Sequence, residues 1–105
     1  MDAGKLRERA QSALAILGID GEVTVEQLLR AIGTHDAEVM QSTLASLVLI
    51  PNRLNQLVGN NQALCHQWMR SRNLAFGGQT PLDVLQEEQG VDRILVYLNT
   101  MLEHG

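Results

Sequence analysis

The sequence predicts an all-α protein, a compact bundle of about six helices. Three observations predict it. Apolar residues recur at three- and four-residue spacing along almost the whole chain, and no stretch sustains the alternation of a half-buried strand. Glycine and proline fall where these runs stop. Several runs open on Thr or Asp, whose side-chain oxygens satisfy the free amides of a first helical turn.

Each element follows in turn. From Lys5 to Leu17, the residues Leu6, Ala10, Ala13, Leu14 and Leu17 share one helix face, and Gly18 is a natural stop before the turn Ile19-Asp20-Gly21. Thr24 with Gln27 three residues on is a capping box, opening a helix through Ile32 with Leu28, Leu29 and Ile32 inward. Gly33 ends that helix. Asp36 caps the next, Ala37 to Leu49, with Met40, Leu44, Leu47 and Val48 inward. Pro51 is expected to halt it, because proline lacks an amide proton and disfavours helix at the residue before it.

A short helix over Arg53 to Val58 and the break Gly59-Asn60-Asn61 come next. Gln62 to Arg70 is expected to be helical, with Leu64, Cys65, Trp68 and Met69 on one broad buried face. The stretch Asn73 to Gln79 cannot be regular helix. Gly77 or Gly78 within it should hold a positive φ, so that the chain doubles back onto a largely buried Trp68. Thr80 is an N-cap, Pro81 suits the first helical position, and Asp83 sits near the positive helix end; this helix is expected to end at Gly90. The last helix, Val91 to Glu103, carries Val91, Ile94, Leu95, Leu98, Met101 and Leu102 inward.

At 105 residues the chain is one domain or two small helical parts sharing a core, divided here into 1–52 and 53–105. A single cysteine, Cys65, rules out an internal disulfide and suits a reducing compartment. The charged start MDAGKLRERA is not expected to act as a signal peptide, and the longest apolar run, Leu47 to Ile50, is far too short to span a membrane. A cytoplasmic protein without membrane contact is expected. The net charge is -4, with seven acidic and four basic residues in 1–52, and five and four in 53–105. Neither part has the cationic excess that phosphate binding favours, and three aromatics (Trp68, Phe76, Tyr97) are too few for base-stacking surfaces.

No catalytic chemistry assembles from the residues. His35, His66 and His104 have no metal-ligand spacing, and the neighbours Cys65 and His66 diverge by about 100° on a helix. Glu87 and Glu88 likewise point apart, as solvated surface residues do. The double glycine before Thr80 lacks the pattern of a phosphate-binding loop, and no strand precedes it. Neither an enzyme nor a cofactor or metal site is expected.

Gln27 to Ser42 has the outline of a helix-turn-helix, with Leu28 and Leu29 inward, Ile32-Gly33 at the turn and Val39 inward on the second helix. A reading helix needs cationic donors, yet positions 31–52 hold no Lys or Arg, and Asp36 and Glu38 stand at its start. Gln41, Ser42 and Thr43 remain as candidate DNA contacts. Any DNA binding by the monomer is expected to be weak.

One segment carries a family pattern. Ala63-Leu64-Cys65-His66-Gln67-Trp68-Met69-Arg70 is followed by Asn73-Leu74-Ala75-Phe76-Gly77-Gly78-Gln79-Thr80-Pro81-Leu82-Asp83-Val84-Leu85, then by Gly90-Val91 and an amphipathic helix. Residues 53–105 thereby resemble the toxin-binding domain of the MbcA/ParS/Xre antitoxins, whose pattern runs A-x-x-W-L, N-x-x-L-G-G-x-T-P-L-x-L-L, G and V-x-x-x-L. Met69, Phe76 and Val84 stand where that pattern has Leu, all apolar exchanges. Members of this family commonly carry an Xre-type DNA-binding region before the domain, of which 1–52 would be a diverged version.

The resemblance implies an antitoxin that forms homodimers or larger homo-oligomers and neutralises a RES-domain toxin. Such toxins are similar to ADP-ribosyl-transferring enzymes and consume NAD, and the antitoxin obstructs the NAD site. Trp68, Asn73, Gly77, Gly78, Thr80, Pro81, Leu82 and Gly90 are read as the scaffold of the motif. Contact with the toxin is assigned to Asp92, Arg93, Val96, Tyr97, Thr100, Glu103 and His104, on the outward face of the last helix and in a tail, 103–105, free to reach into a cleft. Tyr97 has a competing reading, half-buried against the chain's own core. Two further functions compete: a DNA-binding autorepressor that dimerises through 53–105, and a stand-alone relative that binds another protein.

Overall fold

The computed structural model describes residues 3–33 and 35–104, and among them every regular element is helical. Helix α1 (Ala3–Ile16) buries the stripe read from its sequence, Leu6, Ala10, Ala13 and Leu14, with Leu17 just beyond. Gly18, at φ 75°, closes it: the Gly18 amide donates to the Ala15 carbonyl and the Ile19 amide to the Leu14 carbonyl. Ile19 and Leu14 are both fully buried, the apolar contact that accompanies this kind of helix stop. Helix α2 (Val25–Ile32) begins with the capping box as read: Thr24 Oγ1 accepts from the Gln27 amide at 3.1 Å, and the Thr24 amide donates to Gln27 Oε1 at 2.8 Å.

Helix α3 (Ala37–Val58) departs from the sequence reading. It is one helix of 22 residues with Pro51 inside it, rather than two pieces separated by a halt. Proline leaves the Leu47 carbonyl without its usual amide, at a cost of about 3 kcal/mol. The buried stripe Leu44, Leu47, Ile50, Pro51 and Leu54 runs through that point at unbroken helical spacing. Burying each large aliphatic member stabilises by about 1.5–3 kcal/mol, so the stripe outweighs the lost bond. Helix α3 packs most extensively against α6 and α1.

Helix α4 (Gln62–Arg70) is capped by Asn61, whose Oδ1 accepts from the Leu64 amide at 3.1 Å. Cys65 and Met69 are buried, Trp68 is half-buried and Leu64 faces solvent, so the buried face is narrower than the one expected. A 3-10 turn, Leu74–Phe76, follows. Helix α5 (Pro81–Leu85) starts as expected, with Thr80 Oγ1 accepting from the Asp83 amide at 3.1 Å, but it spans only five residues. Gly90 does not end it. Gln89 takes a positive φ of 63°, and Gly90 is the first residue of α6 (Gly90–His104). Two further residues read as inward, Val39 on α3 and Met101 on α6, are exposed.

Side-chain bonds join the first half of the chain to the second. Arg70 on α4 holds Glu22 with two bonds of 2.7 Å and donates to the Gly18 carbonyl at 2.8 Å. His66 Nε2 lies 3.1 Å from the Ile16 carbonyl oxygen, which only accepts, so that nitrogen carries the proton. Within the second half, Arg53 Nε donates to Asn99 Oδ1 at 3.0 Å, tying α3 to α6. The division between 52 and 53 falls inside α3.

Candidate functional site

The chain from Trp68 to Tyr97 builds a small aromatic platform on the α6 side. Phe76 is the only member buried outright. Its ring meets Trp68 edge-on at 6.4 Å and leans on Tyr97 at 5.2 Å, while Trp68 and Tyr97 stack at 6.3 Å with 23° between their planes. The Arg93 guanidinium lies 5.8 Å from the Phe76 ring centre, where a cation meets the negative face of the ring. Arg93 also pairs with Glu87 at 3.2 Å, and Glu87 accepts from Gln79 Nε2 at 2.7 Å. A shallow depression of about 340 Å³ opens here, lined by Ala75, Phe76, Gln89, Asp92, Arg93, Val96 and Tyr97.

The loop beneath this platform is held by its own backbone. The Asn73 carbonyl accepts from the amides of Phe76 and Gly78, and the Asn73 amide donates to the Gln79 carbonyl, each at 3.0 Å. Asn73 Oδ1 accepts from the Ala75 amide at 2.9 Å. Gly77 and Gly78 both take positive φ, 67° and 87°, one more than the turn was expected to need. Phe76 points into the core, and Leu74, two residues before it, points out and is 95% exposed.

Of the residues assigned to contact, Asp92, Arg93, Val96, Thr100, Glu103 and His104 are exposed on α6, with Val96 at 63%. Tyr97 is half-buried on the platform, as the competing reading had it. Asn99 is half-buried and engaged by Arg53. Glu103 and His104 belong to the last turn of α6 rather than to a free tail, and Gly105 lies outside the described residues. The scaffold residues converge as a group: Trp68, Asn73, Gly77 and Gly78 shape the platform, Thr80 and Pro81 open α5, and the half-buried Leu82 packs against the core. Gly90 lets α6 approach the Val84 carbonyl, with which a Cβ would collide.

Leu74 escaped the sequence reading. Its signal was the capping Asn73 followed by a tight turn whose one deep position goes to the aromatic Phe76, which leaves Leu74 outside. Of the candidate DNA contacts, Gln41 and Ser42 are exposed on α3, whereas Thr43 is half-buried and its hydroxyl donates to the Val39 carbonyl at 3.0 Å. Cys65 is buried with its thiol donating to Asn55 Oδ1 at 2.9 Å, and burial pushes its pKa up, the reverse of a reactive cysteine. Among the described residues no cluster of His, Cys, Asp and Glu is arranged to hold a metal, and no helix is long and apolar enough to cross a membrane.

Compared with known families, residues 53–105 match the family model of the antitoxin Xre/MbcA/ParS C-terminal toxin-binding domain. Neither a curated protein nor a solved structure matches the chain. The platform, the glycine turn, the capped α5 and the outward face of α6 all lie within the matched half, and the chain belongs to the Xre/MbcA/ParS antitoxin family through its C-terminal toxin-binding domain.

Proposed function

We propose that this chain is the antitoxin of a type II toxin–antitoxin pair, acting in the cytoplasm as a homo-oligomer that needs no cofactor. Its partner is a RES-domain, NAD-consuming toxin, which it inhibits by covering the active-site entrance with α6. Any chemistry on NAD then belongs to the toxin. The observation that carries the reading is the family match over 53–105, joined to a helix whose inner face is anchored by Val91, Ile94 and Leu98. A helix fixed in this way loses little entropy on docking, so Asp92, Val96, Thr100, Glu103 and His104 are presented at low cost.

The test is co-expression with the product of the adjoining reading frame, scored by growth and by cellular NAD. Val96→Asp combined with Thr100→Arg should lose protection, and so should removal of residues 103–105, provided each variant keeps its helical circular dichroism. Protection by both variants at the parent's level would place the contact elsewhere. A parent that neither binds nor rescues would remove the antitoxin reading.

A regulator that binds DNA through α2 and α3 is the second reading, favoured by the exposure of Gln41 and Ser42. Without Lys or Arg in 31–52, contact by one copy rests on polar groups alone, and affinity for a specific site should be low at physiological salt.

A further inference from the structure

Leu74 and Val96 are the two most exposed large apolar residues among those described, at 95% and 63%. Val96 lines the 340 Å³ depression on the aromatic platform, and Leu74 adjoins it through Ala75, which lines it too. Mobile surface leucines are common and mean little. Leu74 differs because the turn that carries it is held by several bonds and one buried side chain. Asn73 caps its turn, the Gly77 amide donates to its own carbonyl at 3.1 Å, and Phe76 anchors the turn in the core. An aliphatic side chain held out on a closed turn has lost its backbone freedom before any partner arrives, so its burial converts more fully into affinity.

From this we infer that Leu74 is an anchor of toxin binding, a knob that enters an apolar recess on the toxin while Val96 and the Arg93 side of the depression form its border. The inference rests on the antitoxin reading and extends it beyond α6 to a second element. The occupant is the toxin because both residues fall inside the matched toxin-binding domain, Val96 in the depression and Leu74 next along the chain to Ala75, which lines it. Arg93 and Asp92, of opposite charge at its edge, supply the polar rim that surrounds an apolar anchor in protein interfaces.

The experiment measures binding of the full chain to the purified product of the adjoining reading frame by titration calorimetry. Parent, Leu74→Asp, Leu74→Met and Ile16→Asp are compared, with circular dichroism and light scattering on each. Ile16 is an exposed apolar residue on α1, outside the matched domain, and controls for charge added at an apolar surface site. Leu74→Asp should weaken binding by about ten- to a hundredfold, the equivalent of one aliphatic side chain left unburied. Leu74→Met should stay within a few-fold of the parent, Ile16→Asp should bind as the parent does, and the fold of all four should be kept.

If Leu74→Asp binds as tightly as the parent, the anchor role falls and the antitoxin reading stands. Should the substitution leave toxin affinity intact but break up an oligomer, a second copy of the chain is the occupant and the inference is wrong. A parent that does not bind the toxin overturns both.

Discussion

Gly90 lies so close to the Val84 backbone that a Cβ on it would collide with the Val84 carbonyl oxygen. The obstacle is backbone, which cannot swing aside as a side-chain tip can. Gly90→Ala should therefore part α5 from α6 and destabilise the protein by about 3 kcal/mol or more. At Gly21 nothing lies within 4 Å of an added Cβ, and Gly21→Ala should leave the urea midpoint almost unchanged. Equal midpoints for the two variants would mean that α6 does not need this approach.

At Gly77 and Gly78 the obstacle is conformational rather than spatial. Nothing lies within 4 Å of an added Cβ at either, but both hold positive φ. Ala at either position should cost about 1–2 kcal/mol, and Asn, which tolerates the left-handed region, should recover part of that at Gly77. Thermal melts of Gly77→Ala and Gly77→Asn decide the matter; an Asn variant no better than Ala would contradict the backbone account.

Trp68 shares its contacts with two rings and keeps one side in solvent. Trp68→Ala should accordingly cost about 2–3 kcal/mol, below the 3–5 kcal/mol typical of a fully buried tryptophan. Chemical denaturation measures this directly, and a loss under 1 kcal/mol would show that the platform adds nothing to the fold.

The hydrogen bonds from Arg70 hold the Glu22 carboxyl below its usual range. A lowered folded-state pKa means that stability from this group is complete above the ordinary carboxylate range and is lost as pH falls through the folded value. Glu22→Gln should melt slightly below the parent at neutral pH, with the gap closing in acid and shrinking in high salt, since both side chains are about half exposed. A gap that persists unchanged at acid pH would assign the effect to something other than this pair.

Pro51→Ala sets two terms against each other. It restores the amide facing the Leu47 carbonyl, worth about 3 kcal/mol, and it removes two buried methylenes at about 0.8 kcal/mol each, plus the rigidity proline lends the unfolded chain. The net change should be within about 1 kcal/mol of zero, read from the urea midpoint. A loss above 2 kcal/mol would mean that α3 carries no strain at Pro51.

Local signals were legible in the sequence where one residue decides the geometry. The Thr24–Gln27 box, the caps Asp36 and Thr80, and a positive φ within the Gly77-Gly78 pair each follow from short-range chemistry. Failures arose where packing across the chain overrides such chemistry. Pro51 reads as a stop until α1 and α6 are seen to bury the stripe through it, and Gly90 reads as an end until Val84 is seen beside it. For the candidate site, the exposed residues of α6 followed from its period. Tyr97 and Leu74 did not, because their exposure depends on which aromatic of the loop turns inward.

Because α3 crosses position 52 without a break, it acts as a drive shaft between the α1–α2 end and the toxin-binding half. Along such a shaft, each residue inserted or removed changes the relative setting of the two ends by roughly 100° and 1.5 Å. Single insertions near Asn52 would therefore turn the α6 face away from its setting, and the seven-residue insertion, close to two full turns, would bring it nearly back into phase. A change of length at this junction keeps the two ends in register only in whole turns, unless the packing of α1 and α6 around it is rebuilt.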